Sequence, residues 1–313
     1  MQNTDKLFKL FCLICASIVG LLVFSIFWQL CVDSADAWNK FGIGFIWSTE
    51  WDTNNEVFGA LPNIVGTLLC TFIALVIAIP LAFVAALFVA EAPSWIAKPI
   101  SQGIDLLAAI PSIIYGMWGL FVLVPIMNAH FIPFLGDTLG LTTFSIFGLE
   151  IGQWFFGTAT TGMGFFTSGI ILALMILPFM SAVMRDVFAM TPPMLKESAY
   201  GVGCTRWEAT RDVMVRYGIR GILGGVFIGM GRALGETMAV CFVIGNVMGM
   251  PEGIFSSGTT IAATLASNFG EADGMQFSAL VALGLILLLL SFTIQVGSQY
   301  YLHLTSAKRG EAR

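Results

Sequence analysis

The chain has 313 residues, of which 57% are hydrophobic and 11% charged, with a mean hydropathy of +0.88 and a formal net charge of −5. Soluble domains carry charge on roughly a quarter of their residues, so this composition excludes a water-soluble globular fold and places the chain in the membrane class.

Crossing about 30 Å of hydrocarbon takes about 20 apolar residues at 1.5 Å each. Six stretches meet that requirement: Leu10–Cys31, Ile64–Ala90, Leu106–Met127, Ser168–Met184 with its flanks, Gly221–Gly245 and Ala279–Val296. The expected fold is all-α and polytopic, with six transmembrane helices. Lys6 and Lys9 precede the first stretch as they would a signal peptide, but the apolar run exceeds signal length and ends at Trp28, Gln29 and Leu30, so it is expected to be retained. Pro80, Pro111 and Pro178 lie inside spans, where kinks are expected.

Charge orients these spans. Of the 14 Lys and Arg residues, twelve (Lys6, Lys9, Lys98, Arg185, Lys196, Arg206, Arg211, Arg216, Arg220, Lys308, Arg309 and Arg313) fall on one side. The opposite loops hold Lys40 against ten carboxylates, from Asp33 to Asp273. The positive-inside rule makes the first side cytoplasmic, with both termini there. On the other side, Trp38, Phe41, Phe45, Trp47 and Trp51 suit a membrane interface, and an outer-face loop at 128–163 is too polar around Leu135–Phe156 to span. The six cysteines read as small packing residues, and two isolated histidines form no ligand cluster, so no metal or cofactor is expected.

The basic side carries one elaborated loop, 185–220. Thr191-Pro192-Pro193 offers a helix start, Gly201 and Gly203 offer a break, and Thr205-Arg206-Trp207-Glu208 is a capping box. The pattern predicts a helix, a glycine break and a second helix. From the residues alone, such a charged hairpin is either a structural cap or a docking element.

Glu197-Ser198-Ala199, with Gly203 six residues after the glutamate, resembles the EAA loop of ABC importer permeases. In that family the loop supplies coupling helices that dock on an ATPase, which here implies Lys196, Glu197, Ser198, Ala199, Gly201, Gly203, Thr205 and Glu208 as the coupling loop. The sequence departs from the family at Val213, Val215 and Arg216, where Ile, Leu and Pro are usual, leaving the exit from the second helix open. Further blocks, Phe58–Leu69, Ala108–Phe121, Met184–Phe188, Lys196–Glu208 and Gly231–Val240, are similar to permease subunits of bacterial phosphate importers, and more to the C-type subunit than to its A-type partner. The resemblance implies a type I importer permease fold for the whole chain, 1–313, with core helices at 64–300. It also implies a second homologous permease, two ATPase subunits, an external phosphate-binding protein, phosphate as cargo, a bacterial inner-membrane location and no nucleic-acid partner.

The residues agree on two points. No GxxxxGK[ST] loop occurs, so the chain has no such device for holding ATP phosphates. A net negative outer face repels anions, so efficient capture calls for a separate binding protein.

Within the fifth stretch, Gly221, Gly225, Gly229, Arg232 and Glu236 fall at steps of 0, 4, 8, 11 and 15, an arc of about 80° on a continuous helix. The glycines predict close helix packing. A membrane-buried charge costs roughly 2.5–3.5 kcal/mol even on insertion scales, so the Arg232/Glu236 pair is expected either to tie helices together or to line a substrate path, with the Arg232 fork binding phosphate oxygens. Other readings remain open at this point: another oxyanion such as sulfate or molybdate, or a channel or proton-coupled carrier relaying through Glu236. An intramembrane enzyme lacks any paired Asp, His or Ser/Lys constellation in the spans.

Overall fold

A computed structural model describes residues 2–135 and 161–310, with side chains described from Lys6 to Leu304. Its helices are α1 (Gln2–Asp33), α2 (Ala35–Phe41), α3 (Gly44–Trp47), α4 (Leu61–Glu91), α5 (Ser94–Ala109), α6 (Ser112–Phe131), α7 (Phe165–Ala189), α8 (Pro193–Gly201), α9 (Arg206–Leu234), α10 (Met238–Val243), α11 (Ile261–Asn268) and α12 (Gly274–Gly310). Among the described residues, six helices are long and apolar enough to cross a membrane: α1, α4, α6, α7, α9 and α12. The six-span expectation holds, with the third and fifth spans redrawn.

The third span begins at Ser112, not Leu106. Pro111 lacks the N–H that would continue a helix and pushes Ile110 to extended backbone (φ −70°, ψ 128°), so α5 ends at Ala109 and α6 starts afresh. The Tyr115 hydroxyl donates to the Leu107 carbonyl, 2.8 Å, across that corner. Pro80 and Pro178, by contrast, sit inside continuous α4 and α7.

The fifth expected span, Gly221–Gly245, is not one helix. α9 runs from Arg206 directly into the membrane and stops at Leu234. After a break at Gly235–Thr237, α10 occupies Met238–Val243, and the chain then turns through Gly245 (φ +95°) and Asn246 (φ +51°).

The core is built around α7, which packs α4 on one side and α9 on the other. Close approach of α4 follows from a stripe of small residues, Ala74, Ala78, Ala82 and Ala86, all buried and four residues apart. On α9 the glycine row performs the same role. A Cβ on Gly229 would lie 2.6 Å from Met180 Cγ and Sδ, and one on Gly225 3.3 Å from Val183 Cγ1, while Gly221 faces Val187. Gly221, Gly225 and Gly229 thus pack on α7 as the spacing predicted.

Near the opposite end, Trp51 and Phe58 stack edge to face at 5.0 Å, and Phe41, Phe45 and Trp38 join them around fully buried Phe45 and Phe58. Most of the aromatics expected at the interface therefore form a small core of their own. Trp47, by contrast, is 70% exposed. The expected polar stretch Leu135–Phe156 lies outside the described residues except for Leu135. Described cysteines are all free.

Candidate functional site

The loop at 185–220 folds as a helical hairpin. α8 starts after Pro192, which has no capping side chain, and the buried Thr191 hydroxyl makes no hydrogen bond. The expected Thr191 cap is therefore corrected: the two prolines displace the helix start by one residue. α8 ends in a Schellman pattern, with the Cys204 amide donating to the Ala199 carbonyl at 3.1 Å and the Gly203 amide to the Tyr200 carbonyl at 3.0 Å. Gly203 at φ +90° makes this reversal possible. Gly201 is the last helical residue and takes no left-handed conformation, so of the two glycines expected to break the helix only Gly203 does.

The capping box forms as the sequence predicted. The Glu208 amide donates to Thr205 Oγ1 at 3.3 Å, and the Thr205 amide donates to Glu208 Oε2 at 2.8 Å. The second hairpin helix then has no exit. Arg216 retains the backbone N–H a proline would lack, and α9 continues into the membrane through a π-helical stretch at Ala209–Met214. Ala199, Ala209 and Met214 are buried, whereas Met194 (74% exposed), Val202 (82%) and Trp207 (62%) project outward. Glu197 and Ser198 lie on α8, and Lys196 forms a 2.7 Å ion pair with Glu91 at the end of α4. Beside Trp207, a groove of about 510 Å³ opens between α9 and the α4–α5 corner, lined by Phe88, Glu91, Pro93 and Arg206.

The second constellation is the break in the fifth span. Arg232 lies on the last turn of α9, with its guanidinium carbon 4.1 Å from the ring centroid of Phe179 on α7. Glu236 lies inside the break, and its Oε1 accepts from the Ala239 amide at 3.3 Å, satisfying an N-terminal donor of α10. The two charges are close in sequence but form no ion pair with each other. The expected shared arc ends with α9: Arg232 follows the glycine face and Glu236 does not, because the helix stops between them. Arg232 is exposed on the surface of the single chain and Glu236 is half-buried.

Sequence reasoning missed four participants: Phe179 beneath Arg232, Glu91 opposite Lys196, and Asp105 and Ser101, which hold Arg185 at the α5–α7 contact. It also missed a buried polar seam. Thr264 Oγ1 donates to Asn63 Oδ1 at 2.7 Å, the Ile261 amide donates to Thr67 Oγ1 at 3.0 Å, and Thr259 and Thr264 share a 2.7 Å hydrogen bond. The spacing of Asn63, Thr67 and Thr71, a polar row four residues apart in an apolar span, was the available signal.

Six apolar spans, a broken span bearing two charges and a hairpin displayed at the basic end define a polytopic membrane protein. The chain belongs to the family of binding-protein-dependent transport system inner membrane components, whose model matches residues 58–303. It is 46% identical to a phosphate transport system permease protein PstC of Pasteurella multocida, over 94% of this chain and 88% of that protein. It is 47% identical to the PstC protein of Haemophilus influenzae, over 94% and 92%. Its fold is similar to a chain of a bacterial ABC transporter involved in import of the acidic polysaccharide alginate, with a TM-score of 0.56 at 15% identity, covering 96% of this chain and 97% of that one.

Proposed function

We propose that this chain is the C-type permease subunit of an ATP-driven phosphate importer, forming half of the translocation path and drawing its energy from a separate ATPase. Two relatives named as phosphate permeases, each 46–47% identical over 94% of the chain, carry the substrate assignment. The exposed Met194, Val202 and Trp207 on a hairpin rigidly capped at Thr205 support its role as the ATPase dock, since apolar side chains displayed in water mark an interaction surface. In this reading the path is completed by a second homologous permease, two ATPase subunits and an external phosphate-binding protein. Both termini and the hairpin face the cytoplasm.

Arg232 and Glu236 line the path. Among the described residues Arg232 meets no carboxylate, and it rests on an aromatic face, which leaves its N–H fork for the oxygens of a passing anion. Glu236 holds the start of α10 and thereby the shape of the break. The decisive experiment is uptake of radiolabelled phosphate by cells expressing this chain with its partner subunits, with sulfate and molybdate as competitors. Energised phosphate uptake, lost on deleting the chain and unaffected by the other oxyanions, is the expected result. Inhibition by sulfate or molybdate at concentrations equal to phosphate overturns the substrate assignment.

A further inference from the structure

The hairpin is continuous in sequence with α7 and with α9, but α4 reaches it only through space. Beside apolar packing, the polar bridge is the Lys196 Nζ to Glu91 Oε1 contact at 2.7 Å, between residues 105 positions apart. Glu91 is the last residue of α4, and Ala92 and Pro93 beyond it are extended, so its carboxylate marks where the helix ends. At its other end α4 holds the polar seam, receiving the Thr264 hydroxyl on Asn63 Oδ1 and the Ile261 amide on Thr67 Oγ1. α4 is thus a rod of roughly 46 Å at 1.5 Å per residue, fastened to the hairpin at one end and to the segment opening α11 at the other.

We propose that Glu91 is a positioning residue for transport: through Lys196 it makes α4 follow the hairpin, so that movement of the dock reaches the far side of the membrane domain. This rests on the reading of the hairpin as the ATPase dock. The pair is partly exposed, 37% for Glu91 and 23% for Lys196, and ion pairs of this kind add little to stability, so removing it should leave the fold intact while loosening the link.

The test uses the complete transporter in cells, with Glu91→Gln, Lys196→Gln and the reversed pair Glu91→Lys with Lys196→Glu. Phosphate uptake and co-purification of the ATPase are measured at matched membrane expression. Each single variant is expected to lose uptake by roughly fivefold or more, the range of ordinary coupling between sites, and Glu91→Gln, which lies outside the coupling loop, to retain the ATPase. The reversed pair is expected to recover most of the uptake. Full uptake in Glu91→Gln, loss of the ATPase in Glu91→Gln, or a reversed pair no better than the singles each overturns the proposal. The dock itself is judged separately by Gly203→Val: retention of the ATPase there sinks the docking reading, independently of Glu91.

Discussion

Arg232 lies over the face of Phe179, its guanidinium carbon 4.1 Å from the ring centroid, while the Glu236 carboxylate is turned away to the Ala239 amide. An arginine held by an aromatic ring is oriented without being neutralised. The two charges therefore perform different tasks, and their variants should behave differently. Charge-assisted hydrogen bonds are worth roughly 1.5–3 kcal/mol, so Arg232→Gln is expected to lower phosphate uptake by about one to two orders of magnitude with the protein still inserted. Adding Glu236→Gln should restore nothing, since the pair is not bonded within the chain. Recovery in the double variant, measured as uptake per inserted protein, would show a structural ion pair instead.

Gly201 and Gly203 are two residues apart and should respond in opposite ways. Neither has an atom within 4 Å of an added Cβ, so backbone conformation alone decides. Gly203 at φ +90° is strained by any β-branched residue, at a cost of about 1–3 kcal/mol. Gly201→Ala adds a better helix former on the last turn of α8 and is expected to be neutral or stabilising by up to about 1 kcal/mol. Capture of the ATPase by detergent-solubilised protein is the measurement, with loss expected for Gly203→Val and retention for Gly201→Ala.

The α7–α9 seam predicts a stability difference. Gly229→Val drives a branched side chain into Met180, an overpacking expected to cost roughly 1–3 kcal/mol. Gly224 has nothing within 4 Å of an added Cβ, so Gly224→Ala should leave thermal unfolding in detergent unchanged or slightly raised. Equal unfolding temperatures for Gly229→Val and Gly224→Ala would mean that the helices do not meet along this glycine row.

Orientation is open to direct test at two exposed positions. Asn54 lies in the acidic loop before α4, and Val202, 82% exposed, lies at the tip of the hairpin. With a membrane-impermeant thiol reagent and native cysteines as the background, Asn54→Cys is expected to label in intact cells and Val202→Cys only after the cells are opened. Labelling of Val202→Cys from outside would reverse the topology.

The sequence by itself determined the membrane class, the six spans, the glycine face of α9 and the capping box at Thr205–Glu208, because each depends on local periodicity or on groups three or four residues apart. Tertiary structure decided what the apolar run Gly221–Gly245 concealed. Hydropathy is blind to a helix end; between α9 and α10 the Glu236 carboxylate takes the Ala239 amide and the Thr237 hydroxyl donates to the Gly235 carbonyl. It also decided partners. Lys196 meets Glu91, Arg232 meets Phe179 and Asn63 meets Thr264 across 105, 53 and 201 residues, contacts that packing of α4, α7, α9 and α11 creates and no local pattern encodes.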